Sequence, residues 1–238
     1  MATPEHARSG LALVTTAAIA ATRAAIAHAK SPKEVRGALF AAVPLIVNHY
    51  IDGSAALAVD WYEEHRDAAS PPHSFTPQPL TVVREDKLTS AVAFATGELH
   101  DLEQRAAAAV TDAQVAEATD RALQVLEPVV QKATASGFRD TVTGNTTVDP
   151  DAEGWQRFAR SGGCKFCLML AERGAVYTQS SVRFAAHGNC NCVVGPSFDP
   201  NAPRASVMQH VASKRKRTAK ERAALRDYLN HNFPDAPG

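Results

Sequence analysis

Apolar side chains in the first half of the chain recur at intervals of three and four residues, which is the spacing of amphipathic α-helices. The pattern predicts one Ala-rich helix over 4–30. A second helix is expected to begin after Ser31, because Ser31 and Glu34 have the spacing of a capping box. Pro44 is expected to kink this second helix.

Residues that disfavour helices then interrupt the pattern. The run 52–54, Asp-Gly-Ser, predicts a break, and a third helix is expected to follow it up to about Arg66. The Pro-rich segment 69–80 cannot form a regular element, so we expect an extended connector there, followed by a short β-like run at 81–83.

Two more helices are predicted beyond the connector. One covers 86–109, and the other is capped by Thr111 and ends at about Gly137, with a bend at Pro128. The short connection between them predicts an antiparallel helical hairpin.

The chain becomes polar after Gly137, and short elements are expected to replace the long helices. The segment 138–150 is rich in Thr, Asn, Gly and Asp, which predicts a domain boundary there. The expected short elements are a strand over 155–159, one or two helical turns over 166–173 ended by Gly174, strand-like runs over 175–177 and 192–194, and two short helices after Pro203, the last capped by Thr218 and Glu221.

Composition favours closely packed helices and gives the chain no strong overall field. Of the 238 residues, 45% are hydrophobic but only 6% are aromatic, and Ala is abundant. The formal net charge is zero, so overall charge favours neither nucleic acid nor a membrane surface as a partner. The apolar run 11–21 continues through Arg23 without a turn signal, which favours a buried helix over a signal peptide. We expect no membrane span and predict a soluble, non-secreted protein.

All four cysteines lie in one short segment, as Cys164-x-x-Cys167 and, about twenty residues later, His187-x-x-Cys190-x-Cys192. Two short chelating pairs at this separation are typical of a tetrahedral zinc site, whereas a disulfide framework is the alternative. Zinc takes four ligands, so the site would use either the four cysteines or three cysteines with His187. We expect a structural ion that folds a segment too small to bury its own core.

Catalytic alternatives have weaker support from the residues. A zinc deaminase would need H-x-E upstream of P-C-x-x-C, but Gly163 precedes the first cysteine pair. A thioredoxin-like role for the pair Cys164-x-x-Cys167 would need a βαβ unit around it, and the predicted elements contain none. A protease could combine Ser180 or Ser181 with His187 and an aspartate, but no nucleophile-elbow motif supports it.

The C-terminal tail is basic, with eight lysine and arginine residues against four acidic residues between 199 and 238. These residues form either a solvated helix end or a contact with nucleic-acid phosphates or with an acidic protein surface. The candidate contact residues are Lys214, Arg215, Lys216, Arg217, Lys220 and Arg222.

The sequence therefore predicts a mainly α fold, in which an Ala-rich helical N-terminal region precedes a small zinc-stapled α+β module and a basic helical tail. The expected segments are an N-terminal helical region over 1–68, a Pro-rich connector over 69–84, a helical hairpin over 85–145, a Cys/His zinc-binding module over 146–200 and the basic tail over 201–238.

The order of motifs in the second half resembles a known group of phage proteins. It runs from Arg139-Asp140-Thr141-Val142 through Gly154-Trp155 to C-x-x-C, the run 168–177 and H-x-x-C-x-C. This order is similar to minor head proteins of tailed phages of actinobacteria, which are related to the phage Mu F-like head-morphogenesis family. The specific match covers about 138–198.

The resemblance implies a non-enzymatic minor capsid protein of the virion or procapsid, made in the bacterial cytoplasm. It implies contacts with the portal, scaffold or major capsid protein during head assembly, and it leaves packaged DNA open as a partner of the basic tail. Some relatives are labelled capsid maturation proteases, so a prohead protease is the first alternative. A nucleic-acid-binding factor that acts through the basic tail is the second alternative.

Overall fold

The structure is a computed structural model. It describes residues 3–105, 109–160, 162–175, 177, 184, 186, 188–190, 192–202 and 218–236. Its elements are α1 (Pro4–Ala25), α2 (Pro32–Ala69), α3 (Glu85–Ala95), α4 (Gly97–Glu103), α5 (Asp112–Val148), β1 (Gly154–Phe158), α6 (Lys165–Ala171), β2 (Val193–Ser197) and α7 (Ala219–Asn232). The fold is mainly helical with a small two-stranded sheet, which confirms the predicted class.

The predicted capping sequences begin three of these helices. Ser31, Thr111 and Thr218 each accept a hydrogen bond from the backbone three residues on, and the side chain at that position returns a bond to the cap. These reciprocal bonds satisfy backbone groups that the first helical turn leaves open.

Helix α2 is continuous from Pro32 to Ala69, so the predicted break at 52–54 and the separate third helix were wrong. Pro44 also lies inside the helix. Ser54 is fully buried, and its hydroxyl donates to the carbonyl oxygens of Ile51 at 2.9 Å and Thr134 at 2.6 Å. Because α5 supplies the second acceptor, packing between helices overrides the local turn preference of this run.

Helix α5 likewise continues past its predicted end at Gly137 to Val148. Gly137 is the point where α5 crosses α2: a Cβ atom there would lie 2.5 Å from the Ile51 carbonyl oxygen. The glycine therefore permits close approach of two helices and does not end one. Threonines in the polar run that follows donate to carbonyl oxygens four residues earlier, namely Thr143, Thr146 and Thr147.

Replacing Gly137 with alanine is expected to destabilise the protein by about 2 kcal/mol, because the added methyl group collides with backbone of α2. Gly37 is the matched control, since it is an exposed helical glycine with no neighbouring atom within 4 Å of its added Cβ. Gly37→Ala should stabilise the protein by about 0.5–1 kcal/mol through helix propensity. Urea unfolding of both variants measures the difference, and equal effects would contradict the close crossing.

The helix predicted over 86–109 is divided at Thr96, since α3 ends at Ala95 and α4 begins at Gly97. Both helices pack against α2 and α5. Together these helices and α1 enclose the larger apolar cluster, whose buried members include Leu39, Val43, Leu88, Val92, Leu99, Leu126 and Val130.

The Pro-rich connector contains no helix or strand, as predicted, and the short β-like run expected at 81–83 does not form. It runs along α5, whose side chains replace the missing backbone partners. Asn145 Oδ1 accepts from the Gln78 amide at 2.8 Å, and its Nδ2 donates to the Gln78 carbonyl at 2.7 Å. Thr141 Oγ1 bonds both backbone groups of Leu80 in the same way. The connector is thereby attached to the helical body at two points.

A buried ion-pair network joins the ends of α2 and α5. Arg66 Nε lies 2.9 Å from Asp149 Oδ2, and Arg66 Nη2 lies 2.8 Å from Asp151 Oδ2. The Tyr62 hydroxyl donates to Asp149 Oδ2 at 3.1 Å, and Arg66 Nη2 donates to the His73 carbonyl at 2.6 Å. One guanidinium therefore connects α2, the connector and the segment after α5.

The two strands pair antiparallel, with Gly154 opposite Ser197 and Phe158 opposite Val193. The strand predicted over 155–159 is confirmed within one residue, and Tyr177 forms an isolated bridge with Trp155. The strand predicted from Cys192 begins at Val193.

The sheet packs directly on the helical body. Trp61 of α2 donates from Nε1 to the carbonyl oxygen of Val194 at 2.8 Å. A second apolar cluster combines helical and sheet residues, and its largest members are Trp61, Tyr62, Phe138, Trp155, Tyr177, Val193 and Val194. The division of the chain into five segments stays a prediction, but this cluster fixes the sheet against α1, α2 and α5.

Helix α2 is long and apolar enough to cross a membrane by length and composition alone, with a mean hydropathy of 1.2 in its best window. A core helix of a soluble protein passes the same test, and here α2 packs against α1, α3, α4 and α5.

Candidate metal centre

Two short elements position the cysteines. Cys164 is the N-cap residue of α6 and has an extended backbone, while Cys167 lies in the first turn of that helix. Cys190 follows Asn189, whose positive φ of 60° turns the chain, and Cys192 directly precedes β2. The start of α6 therefore carries one cysteine pair and the segment before β2 carries the other, and these two places approach each other.

The structure brings three of the five predicted ligands together. The Sγ atoms of Cys167, Cys190 and Cys192 all lie within 4.8 Å of one another, and Cys167 Sγ is 3.7 Å from Cys190 Sγ. Zn–S bonds of about 2.3 Å in a tetrahedron place neighbouring sulfurs about 3.8 Å apart. No disulfide joins the four cysteines, so the disulfide alternative was wrong. Three buried cysteines are thus close enough to bind one metal ion.

Of the two remaining predicted ligands, the structure describes Cys164 but not His187. Cys164 is half-buried and packs against the other three cysteines. His187 lies outside the described residues, as do Ser180 and Ser181 of the protease alternative. The choice of four ligands among the five therefore stays a prediction.

The cluster favours a thiolate at Cys190. Hydrogen bonds from the thiols of Cys167 and Cys192, together with the nearby Arg139 charge, lower the pKa of Cys190 well below its usual value. The pKa of Cys167 is raised, because its thiol donates to its neighbours and is buried. The pKa of Cys192 is also raised, by the thiol of Cys190 and by burial. A thiolate is the form of cysteine that binds metal, and Cys190 is the one of these three cysteines whose pKa is lowered.

Two buried arginines lie beside the cysteines, and sequence analysis missed both as members of the site. Arg139 of α5 is 2% exposed; its Nη2 donates to the carbonyl oxygens of Cys190 at 2.6 Å and Cys192 at 3.2 Å. Arg157 of β1 is 3% exposed, and its Nη1 lies 3.8 Å from Cys167 Sγ. Both guanidinium groups lie over the ring of Phe184, at 5.0 Å and 3.7 Å from its centroid.

No local pattern distinguishes these arginines from surface arginines, because burial here depends on contacts between distant segments. In the sequence, Arg139 stands out only as part of the motif 139–142, which carries the family resemblance. Burial lowers the pKa of Arg139, since burial penalises the charged form.

The basic tail is only partly described. Lys214, Arg215, Lys216 and Arg217 lie outside the described residues. Lys220 and Arg222 are exposed on α7. Helix α7 packs on α6, and their shared apolar cluster contains Met169, Leu170, Leu225, Leu229 and Phe233.

The three converging cysteines are buried. Cys167, Cys190 and Cys192 are each between 2% and 4% exposed, so a bound ion would have little room for a substrate on their side. Structural zinc sites have four protein ligands, whereas catalytic zinc keeps an open position.

Comparison with known proteins gives one positive result. A family model described as "VG15 protein" matches residues 2–216. No curated protein and no solved structure gives a significant match.

Proposed function

Because the chain belongs to the VG15 protein family, which is phage-associated, we propose that it is a minor capsid protein that acts without catalysis in assembly of the phage head. Its place would be the procapsid or virion, after synthesis in the host cytoplasm. Its partners would be the portal, the scaffold or the major capsid protein. The family match supports phage origin, and the buried cysteine cluster supports a stabilised interaction protein over an enzyme.

The proposal includes a structural zinc ion held by cysteine thiolates. The observation that carries it is the 3.7 Å separation of Cys167 Sγ and Cys190 Sγ, close to an edge of a tetrahedral zinc–sulfur site. The ion would join the start of α6 to the start of β2, and the described residues of this small module form one strand pair and the bridge between Trp155 and Tyr177. The role of zinc would be to fix a docking surface, with no substrate chemistry.

The outer faces of the helical body provide surfaces for assembly contacts. Among the described residues, three large apolar side chains there are at least 69% exposed, namely Leu13 of α1, Leu45 of α2 and Phe94 of α3. Leu13 also borders a groove between α1 and α2 whose lining includes Val14, Ala17 and Tyr50. Exposed apolar side chains beside a groove are typical of protein contact sites. Lys220 and Arg222 on α7 could add contacts with DNA or an acidic capsid surface.

Incorporation into procapsids tests the proposal. The chain should sediment with procapsids when it is co-expressed with the head proteins of its phage, and Leu13→Asp with Phe94→Asp should reduce incorporation at least tenfold while leaving the melting temperature unchanged. Lys87→Asp, an exposed substitution on α3, is the control for altered charge. Absence of the wild-type chain from procapsids would contradict the proposal. Capsid processing that stops in Ser180→Ala or His187→Ala, with normal incorporation, would favour the protease instead.

A further inference from the structure

We propose that a second copy of this chain binds to the outer face of α2, so that the two α2 helices pack antiparallel about a two-fold axis. The observation that carries this proposal is an exposed stripe on α2 whose two halves complement each other in size and in charge. The proposal depends neither on the zinc ion nor on the role in head assembly.

The stripe consists of residues four apart, which form one ridge along a helix. Its members are Lys33, Gly37, Ala41, Leu45 and His49, and all five are exposed. The buried residues of α2 lie on the other side of the helix, where several of them belong to the larger apolar cluster. The stripe therefore points away from the core.

The middle of the stripe is an apolar surface with little cover. Helix α2 has no acidic residue, lysine or arginine between Arg36 and Asp52, and Leu45 is 69% exposed. Only 33% of the most apolar 18-residue window of α2 is buried. The groove between α1 and α2 continues this surface beside His49. Exposed apolar surface of this extent is typical of a protein contact site.

The sizes of the side chains make the stripe complementary to itself. Its first half has the small residues Gly37 and Ala41, and its second half has the large residues Leu45 and His49. In an antiparallel pair with the axis between Ala41 and Leu45, Ala41 faces Leu45 of the second copy, and Gly37 faces its His49. Large side chains opposite small ones interdigitate and allow close helix packing. One patch that fits itself is what a two-fold interface requires.

The charges at the two ends of the stripe favour the same alignment. Asp52 follows His49 by three residues and so lies on the same side of α2. The antiparallel pair brings Lys33 close to Asp52 of the second copy, and this happens twice in each dimer. Both residues are exposed, and among the described residues neither belongs to an ion pair within the chain. Charge complementarity therefore favours a second copy as the partner.

The oligomeric state of the purified full-length chain gives the first test. Sedimentation equilibrium should give twice the mass of one chain, and Leu45→Glu should weaken dimerisation by about 100-fold or more, because each interface would bury the new charge twice. Val125→Glu makes a similar change at an exposed apolar residue of α5 and should leave the dimer intact. Circular dichroism should show equal helix content in both variants, since both residues are exposed.

A wild-type chain that is monomeric at every concentration would overturn the proposal. If Leu45→Glu then lost incorporation into procapsids, the face would belong to a head protein. Leu45 is not changed in the test of head incorporation, so the two proposals can fail separately.

Exchange of charges tests the antiparallel alignment. Lys33→Glu and Asp52→Lys should each weaken the dimer by about tenfold, because each brings like charges together twice. The double variant restores opposite charges across the axis and should recover the wild-type affinity. Losses that add in the double variant would overturn the alignment, since they would show that Lys33 and Asp52 do not meet.

Discussion

Removal of the proposed zinc ion is expected to unfold the segment that carries β1, α6 and β2 while most of the helical signal remains. Structural zinc in small sites binds with an apparent free energy of about 10–16 kcal/mol, which equals or exceeds the whole stability of a typical domain, about 5–15 kcal/mol. The larger apolar cluster draws its buried residues from α1 to α5 and from Ile26, the residue that follows α1. The helices can therefore keep their core when the cysteine cluster is released.

Tryptophan fluorescence measures this outcome, because both tryptophans of the chain, Trp61 and Trp155, contact the sheet side of the molecule. A zinc chelator should shift their emission towards that of exposed tryptophan, and far-ultraviolet circular dichroism should fall only slightly. Cys190→Ser should behave like the chelated protein without any treatment. Restoration by added Zn²⁺ but not by Mg²⁺ is the control, since thiolates prefer the softer ion. Unchanged emission after complete removal of zinc would contradict a stabilising metal.

Replacing Arg66 with methionine is expected to destabilise the protein by about 3–5 kcal/mol, because it leaves a buried carboxylate without its cation. The Asp149 side chain is completely buried, and 10% of the Arg66 side chain is exposed. The substitution also removes the bonds from Arg66 to Asp151 and to the carbonyl of His73, so the connector loses an attachment. Chemical denaturation measured at neutral pH gives the size of the loss.

A double-mutant cycle shows whether the loss comes from this pair. Asp149→Asn alone should also be destabilising, and the double variant should lose less than the sum of the single variants, because the buried charge is removed along with its partner. Arg121→Met, which breaks the exposed ion pairs with Glu98 and Glu117, should change stability little. Additive losses in the cycle would show that Arg66 and Asp149 act separately.

Local signals predicted the parts of this fold that depend on local chemistry. The capping boxes at Ser31, Thr111 and Thr218 were recognisable because their bonds involve residues three apart. The convergence of Cys167, Cys190 and Cys192 was predicted because their spacing carries the geometry of a chelating pair. Both predictions can be made from residue spacing, with little information about contacts between distant segments.

The errors arose where distant contacts decide the outcome. Ser54 lies in a sequence typical of a turn, but α5 accepts a hydrogen bond from its hydroxyl and α2 continues. Gly137 lies where a helix commonly ends, but it allows α5 to cross α2. Arginine is usually a surface residue, but Arg139 is buried because the cysteine loop supplies acceptors for its guanidinium. In each case the partner is more than fifty residues away in sequence, so no local pattern contains it.

The apolar cluster shared by the helices and the sheet also limits how this gene can recombine. Trp61 and Phe138 come from the helical part, while Trp155 and Val194 come from the sheet, and all four side chains are buried in contact with one cluster. A crossover between two diverged relatives within α5 or just after it would combine halves of a core that had changed separately. Viable hybrids should therefore inherit the long helices and the cysteine segment from the same parent.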